Sequence, residues 1–318
     1  MHSRQQSSGR LTAHSARRLL LGALALGILL GAVWTVAQTA AAQEPQAEPG
    51  QTIPPPEGTP LFLPLVAAAE SPTPTPVPTL PARAFGAIEV GGGSLGWPAQ
   101  VSPDVNLVWR SFAPTSAYLG LVNYNGDTDE NAPQMAAVFT PPRLPTFLSA
   151  HQVYDWDWNC NPPQGCRGSL LTYPYAVTLL ELASTAGEPL SIARRGPSIR
   201  DDYKAMVLYA EESRLTITYT HDDSPANGYM IHFEDVVVAP ELLALYRQLD
   251  AAGRRTLPAL RNDEVWGTAA GPSIKVAVRD RGTFMDPRAC KDWWMDYRGQ
   301  CTVQLQRPVG WRPQGWQP

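Results

Sequence analysis

Histidine and cysteine are scarce in this sequence, and basic residues are not in excess. Only five histidines and four cysteines occur in 318 residues, and 29 acidic residues against 25 Lys and Arg give a formal net charge of −4. Affinity for nucleic-acid phosphates comes from Lys and Arg, so a nucleic-acid partner is not expected. The sequence also has no P-loop of the form G-x-x-x-x-G-K-[ST], which excludes that kind of nucleotide site.

The four cysteines predict two disulfides. An even number of cysteines in an exported chain is typical of disulfide pairing. We expect the pairs Cys160–Cys166 and Cys290–Cys301, because each would close a short loop rich in Pro, Gly or polar residues. Zinc ligation by cysteine is the alternative, but no Cys-x-x-Cys spacing supports it.

Residues 1–42 have the pattern of an export signal. Four arginines precede an apolar run over 19–37, and Ala40-Ala-Ala42 offers a small-residue cleavage site. The run is nearly long enough to cross a bilayer, which takes ~20 apolar residues, so a retained anchor is the alternative. Both interpretations place the rest of the chain outside the cytoplasm. Membrane contact is expected only through 19–37, and only if the signal is uncleaved.

Composition divides the remainder into a linker and one domain. Prolines recur throughout 43–82, which predicts a disordered linker that favours extended conformations. From residue 83 to 318 the pattern is globular and β-rich. We divide this part into an N-terminal extension (83–140), a core (141–290) and a C-terminal tail (291–318).

Alternating apolar and polar residues predict a mainly β fold. One helix is expected over 240–252, because Pro240 suits its first position, an apolar stripe follows and Gly253 suits its end. The predicted strands are Val105–Arg110, Ala117–Val122, Ala205–Ala210, Arg214–Thr220, Gly228–Val238 and Ile274–Val278, with a hairpin joining Arg214–Thr220 to Gly228–Val238.

Three residues have the side chains that a catalytic zinc site requires. His151 and Asp155 lie four apart, and His232 follows in a strand-like run. A catalytic zinc takes three protein ligands and acidifies a bound water. The alternative is structural: His151 and Asp155 would bond each other or the backbone, and His232 would be a partly buried core residue.

Three short motifs between residues 151 and 287 resemble those of one known family. They are His151-x-x-x-Asp155, the run ending in Gly228-Tyr-Met-Ile-His232, and the strand from Pro272 that leads to Met285-Asp-Pro287. The family is the lysostaphin-type zinc endopeptidases, which cut peptidoglycan cross-bridges. The resemblance implies an all-β fold, a mainly antiparallel barrel-like sandwich of the lysostaphin-peptidase type, with one inserted α-helix. It also implies that His151 and Asp155 are metal ligands and that His232 is the acid/base.

Two positions depart from the family pattern. The third zinc ligand falls on Lys275, and a second catalytic histidine falls on Ser273. A charged lysine has no lone pair for zinc, so the expected cofactor is none, with zinc as the alternative. We hypothesise that the ammonium of Lys275 takes the place of the metal and forms an ion pair with Asp155.

Tryptophans supply a second candidate surface. Trp156 and Trp158 alternate with carboxylates, and Trp293 and Trp294 follow Cys290. Indole faces beside carboxylates suit sugar rings, although tryptophans near disulfides more often cover a small core.

The incomplete ligand set favours a non-catalytic function. We expect an exported, peptidase-like module that binds peptidoglycan, another envelope glycan or a partner protein. The alternatives are a zinc-dependent peptidoglycan endopeptidase and a carbohydrate-binding module.

Overall fold

The computed structural model describes residues 84–93, 95–307 and 309. The predicted export signal (1–42) and its anchor alternative (19–37) lie outside the described residues. The predicted linker (43–82) and the end of the predicted tail lie outside them as well, and all of these stay predictions. Within the described ranges, no helix has the length and apolar character needed to cross a membrane.

The described chain is mainly antiparallel β-sheet with few helices, as the sequence predicts. Its strands are β1 (Gly86–Glu89), β2 (Phe112–Thr115), β3 (Val122–Tyr124), β4 (Phe147–Asp157), β5 (Cys166–Leu170), β6 (Leu179–Ala183), β7 (Pro189–Leu190), β8 (Ala205–Glu211), β9 (Arg214–Thr218), β10 (Tyr229–Glu234), β11 (Val236–Val238), β12 (Thr256–Leu260), β13 (Gly267–Ala269), β14 (Ser273–Asp280), β15 (Thr283–Phe284) and β16 (Val303–Leu305). Its α-helices are α1 (Leu107–Arg110), α2 (Pro240–Ala251) and α3 (Cys290–Trp293), and 3-10 turns cover Ala99–Val101, Met135–Val138 and Met295–Gln300.

One large open sheet dominates the fold. Its strands follow the order β1-β12-β8-β9-β10-β14-β6-β4-β2, with β15 added to β14 and β5 added to β4. A barrel would require the edge strands β1 and β2 to pair, but within the described residues β1 pairs only with β12 and β2 only with β4. The expected barrel-like closure is therefore not found. Two small sheets, β11-β13-β7 and the parallel pair β16-β3, complete the structure.

The clearest sequence patterns correspond to observed strands. The predicted strands Ala205–Ala210, Arg214–Thr220 and Ile274–Val278 match β8, β9 and β14, and the predicted hairpin is the antiparallel pair β9–β10. The predicted strand Gly228–Val238 is instead divided in two. Asp235 has a φ of 62° and directs the chain from the large sheet into the small one. Asp is one of the few residues that tolerate this left-handed conformation.

Two predicted strands are wrong. Residues 107–110 form the single helical turn α1, because the side chain of Asn106 accepts a hydrogen bond from the Val108 N–H at 3.3 Å and caps the turn. The predicted strand at 117–122 begins only at Val122, where β3 pairs with β16.

The predicted helix is confirmed as α2. Pro240 occupies its first turn, and Gly253 follows its end with a φ of 93°. The buried side chains of Leu242, Leu243 and Tyr246 pack it against β8 and β12.

The two predicted disulfides are confirmed. Cys160 pairs with Cys166 and Cys290 pairs with Cys301. The first closes the loop between β4 and β5, and the second joins the start of α3 to the chain just after the last 3-10 turn.

The two faces of the large sheet have different partners. Leu180, Ile231, Phe233 and Val276 belong to the main hydrophobic core on one face. Their sequence neighbours point the other way, where Leu179 and Ala277 pack beneath Leu107 of α1 and beneath Phe284. We call this second side the α1 face. It carries both histidines that the sequence singles out.

One buried carboxylate on the core side is almost without partners. The Asp280 side chain has no exposed surface, and Arg281 Nε lies 3.5 Å from its Oδ1. Neither oxygen makes a hydrogen bond within the described residues. Burial raises the pKa of Asp280 to about 6, although Arg281 opposes the shift.

Replacing Asp280 by Asn should increase the free energy of unfolding above pH 6. A pKa raised from 3.8 to about 6 corresponds to ~3 kcal/mol, of which we expect about 1–3 to be recovered. In the wild type the native state binds the proton more readily than the unfolded state, so wild-type stability rises as pH falls from 6 towards 4. The gain of the variant should shrink over the same window. Urea unfolding at pH 8, 6 and 4.5 measures it, with exposed Asp202→Asn as the control. A gain that is independent of pH would contradict the assignment.

Candidate functional site

A row of charges of alternating sign crosses six neighbouring strands on the α1 face. The cross-strand partners are paired in register from β8 through β9, β10, β14 and β6 to β4. Opposite charges directly across a sheet stabilise it, whereas like charges would destabilise it. The members of this charge row are Glu211, Arg214, Glu234, Lys275, Glu181 and the uncharged Ser149.

The first half of the charge row is built on Arg214. Its Nη1 lies 2.8 Å from Glu211 Oε1, and its Nε lies 3.0 Å from Glu234 Oε2. Glu234 is buried. Burial raises the pKa of Glu234 to about 7, against the opposing effect of Arg214. This carboxyl therefore titrates near neutral pH.

The second half of the row contains Lys275, one of the two positions that the resemblance assigns to histidines, and it contacts Ser273, the other. Lys275 Nζ donates to a carboxylate oxygen of Asp235, and Ser273 Oγ donates to Glu181 Oε1 at 2.7 Å. Both side chains are thus engaged with carboxylates on neighbouring strands or turns. The hypothesised ion pair between Lys275 and Asp155 is not formed. Lys275 lies in register between Glu181 and Glu234, while Asp155 lies at the far end of β4.

His151 ends the row through a hydroxyl relay. Its Nε2 lies 2.7 Å from Ser149 Oγ, and the same hydroxyl donates to Glu181. The hydroxyl has one proton and gives it to the hydrogen bond with Glu181, so Nε2 of the neutral imidazole must carry the ring proton and donate to Ser149. Nδ1 then carries the lone pair. Nδ1 is buried without a hydrogen-bond partner among the described residues. Burial lowers the pKa of His151, nearby Lys275 lowers it further, and Glu181 opposes both.

His232 repeats this arrangement deeper in the protein. It is 1% exposed, and Phe284 stacks on its ring at 5.9 Å between centroids. Thr216 Oγ1 donates to the Val105 carbonyl at 2.6 Å and lies 3.0 Å from His232 Nδ1, which must therefore donate. Nε2 is buried without a partner in the described structure. Burial lowers the pKa of His232 well below its ordinary value, and Arg279 adds to the effect.

The predicted zinc ligand His151 and the predicted acid/base His232 do not lie close together. His151 lies opposite Leu179 on β6, and His232 lies opposite Ala277 on β14. The strand order therefore separates the two imidazoles by three inter-strand steps, ~14 Å at the usual spacing. No group of three or more His, Cys, Asp or Glu in the described ranges is arranged to hold a metal ion.

Asp155 instead belongs to an arginine cluster that the sequence did not reveal. Arg110 Nη1 lies 3.6 Å from Asp155, and Arg110 Nη2 lies 2.9 Å from Asp104. Arg279 also contacts Asp104, at 3.1 Å, and both guanidiniums lie over the Phe284 ring. Burial would raise the pKa of Asp104, but the two arginines hold it below its ordinary value.

A cleft of about 230 Å³ opens beside this cluster. Arg110 and Asp155 supply its charged groups, and Leu171, Tyr173 and Phe284 form apolar walls. The cleft lies between the base of the β4–β5 hairpin, at Asp155 and Leu171, and the turn from β14 to β15. The sequence does not predict a role for Arg110, because the pattern of 105–110 favours a strand. Asn106, which caps α1, is the local signal that indicates a helix instead.

A larger open cleft of about 670 Å³ lies between Gly91–Gly93 and Arg254. Arg254 is engaged there by Asp223 at 2.7 Å and by Asp250. None of the candidate site residues predicted from the sequence lines this cleft. We place the candidate site at the smaller one.

Two of the predicted ligand-stacking tryptophans are core residues. Trp293 and Trp294 are each 1% exposed, and their indole N–H groups donate to the carbonyls of Asp286 at 2.9 Å and Pro287 at 2.8 Å. Their ring faces are not presented to a ligand. A stacking surface shared by all four tryptophans does not exist in the described structure.

The other two tryptophans lie on the β4–β5 hairpin. Trp156 and Trp158 meet edge to face at 6.3 Å between centroids. The Trp156 indole N–H donates to the Gln164 carbonyl at 3.2 Å, while 40% of Trp158 is exposed. A small aromatic surface therefore remains beside the disulfide-closed loop.

Comparison of the chain with protein-family models, with curated proteins and with solved structures found no match. Membership of the lysostaphin-type family therefore stays a prediction that rests on the three sequence motifs.

Replacing His232 by Gln should make stability less sensitive to acid. In the wild type the native imidazole stays neutral while the unfolded one binds a proton below about pH 6.5, so stability falls with pH in that range. Between pH 6.5 and 5 the wild type should lose roughly 1.5 kcal/mol more than the variant. Urea unfolding across that window measures the difference, with half-buried His221→Gln as the control. Equal losses in wild type and variant would show that native His232 titrates normally.

Proposed function

We propose that this protein is an exported, non-catalytic, peptidase-like module that binds cell-envelope material or a partner protein. The observation that carries the proposal is that the residues at the family's catalytic and zinc-ligand positions form hydrogen bonds and packing contacts within the same chain. Ser273 and Lys275 are bonded to Glu181 and Asp235, and His232 is buried beneath Phe284. Groups held in this way are poorly placed to activate a water or a peptide carbonyl.

We further propose a distant relation to the lysostaphin-peptidase fold. The motif residues His151, His232 and Lys275 lie on strands of one antiparallel sheet and on its same face. Their common sheet face is the observation that supports this relation. Export is supported by two disulfides, which form in oxidising compartments.

The test is metal content together with envelope binding of the full-length protein. We expect much less than one zinc per chain, no digestion of peptidoglycan, and co-sedimentation with insoluble cell-wall material or capture of an envelope protein. The result that overturns the proposal is near-stoichiometric zinc whose removal by a chelator also abolishes peptidoglycan digestion. His151→Gln provides the matched variant. Its zinc content should equal that of the wild type, because His151 is here a hydrogen-bonding residue.

A second candidate function is carbohydrate binding by the hairpin pair Trp156 and Trp158. The observation that favours it is the exposed face of Trp158 next to a second indole. Aromatic faces of this kind stack on sugar rings and on other apolar surfaces.

Trp158→Ala should weaken binding to soluble glycan fragments by about tenfold if this candidate is correct. Trp109→Ala is the matched control, because Trp109 is similarly exposed, at 42%, but lies on α1. Affinity electrophoresis with peptidoglycan-derived glycans measures the effect. Equal binding by the Trp158 variant and the wild type would remove carbohydrate binding as a function of the hairpin.

A further inference from the structure

The 230 Å³ cleft has two opposite charges side by side on an otherwise largely apolar lining. Arg110 Nη1 and Asp155 Oδ1 are 3.6 Å apart, too far for a direct hydrogen bond. Leu171, Tyr173, Pro174 and Phe284 surround the pair. A pocket that is mostly apolar with a few convergent polar groups is the usual form of a small-molecule site.

Arg110 is held in place before any ligand arrives. Its Nε donates to the Pro103 carbonyl at 2.8 Å, its Nη2 pairs with Asp104 at 2.9 Å, and only 6% of its side chain is exposed. Its Nη1 has weaker contacts, at 3.5 Å to the Tyr154 carbonyl and 3.6 Å to Asp155. A fixed guanidinium whose outer nitrogen is weakly bonded is suited to receive a carboxylate.

Asp155 provides the complementary charge. It lies near the end of β4 and is 60% exposed, so it reaches the cleft from the solvent side. Because one carboxylate and one guanidinium lie this close together, a ligand with a single charge would be repelled by one of them. A ligand with an ammonium and a carboxylate on the same carbon would match both.

The volume and the walls limit the rest of the ligand. A space of about 230 Å³ corresponds to about eight waters at ~30 Å³ each, which is the scale of one amino acid. The apolar walls favour a hydrocarbon side chain over a charged one.

We propose that the Arg110–Asp155 cleft binds the zwitterionic head of an α-amino acid, with the carboxylate on Arg110, the ammonium on Asp155 and an apolar stem against Phe284 and Leu171. The head group has two sources, a free apolar amino acid or a branched cell-wall peptide whose side chain ends in an α-amino acid. The inference deepens the proposed binding function and rests on it.

The experiment is calorimetric titration of the full-length protein with four probes. Leucine carries both charges, N-acetyl-leucine lacks the ammonium, leucinamide lacks the carboxylate, and diaminopimelic acid represents the branched cell-wall source. We expect leucine or diaminopimelic acid to bind at least tenfold more tightly than either blocked probe, because hydrogen bonds between charged partners are the stronger ones. Tighter binding of diaminopimelic acid indicates the cell-wall source, and tighter binding of leucine indicates the free amino acid.

Variants locate the binding. Asp155→Asn should weaken binding of the zwitterion about tenfold, because the partner of the ammonium is lost, and should strengthen the weak binding of N-acetyl-leucine, because a carboxylate no longer meets the Asp155 charge. Arg110→Lys should weaken the zwitterion and N-acetyl-leucine alike, since a lysine ammonium lacks the planar guanidinium that holds Nη1 towards the cleft while Nε and Nη2 stay bonded to Pro103 and Asp104. Asp157→Asn is the matched control, because Asp157 is an exposed carboxylate on the same strand outside the cleft, and it should have no effect. Since Arg110 also contacts Asp104 and that variant risks misfolding, the exposed Asp155 variant decides the outcome by itself.

Two results would overturn the inference. One is equal affinity for leucine, N-acetyl-leucine and leucinamide, and the other is zwitterion binding that Asp155→Asn does not change. Co-sedimentation with cell-wall material is measured in parallel. If it persists while the cleft fails these tests, the proposed function stands without this ligand. If co-sedimentation is absent while the zwitterion binds, the ligand assignment of the cleft is supported and the proposed envelope function is contradicted.

Discussion

The cross-strand pairing of charges on the α1 face constrains the structure around it. Arg214 and Lys275 each lie in register between two carboxylates, so the central strands alternate in sign. A slip of one residue in any of these strands would direct a charge into the main core and an apolar side chain away from it. The hydrophobic clusters on both sides of the sheet thus depend on the same register. Buried Glu234 is tolerated in this position only because Arg214 lies beside it.

The same pairing of charges explains the hydrogen bonds of Ser273 and Lys275. Lys275 supplies a cation to the charge row, and Ser273 donates to Glu181 of that row, whereas a zinc site needs neutral imidazoles. His151 and His232 each donate a hydrogen bond to a hydroxyl, and that hydroxyl donates in turn to another oxygen. The second ring nitrogen of each is buried without a hydrogen-bond partner among the described residues. The binding site that we infer uses Asp155, which the charge row leaves outside.

The sequence predicts the features that depend on residues close together along the chain. Alternation in Leu215-Thr-Ile-Thr identified β9, Pro240 and Gly253 bounded α2, and short spacing gave both disulfides. It could not predict what depends on strand order. The sheet places two strands between His151 and His232, and it directs Lys275 to Asp235, which occupies the kink after β10. Arg110 was missed because its role depends on tertiary contacts with Asp104 and Asp155, and no local pattern reports them.

Phe284 has a consequence that reaches beyond packing. One side of its ring lines the solvent-accessible cleft, and the ring also stacks on His232. Phe284 covers His232, whose Nε2 is buried without a hydrogen-bond partner among the described residues. A narrower side chain at 284 would connect the two compartments and hydrate the hidden ring nitrogen. The access of His232 to the cleft is therefore set by the size of one neighbouring side chain.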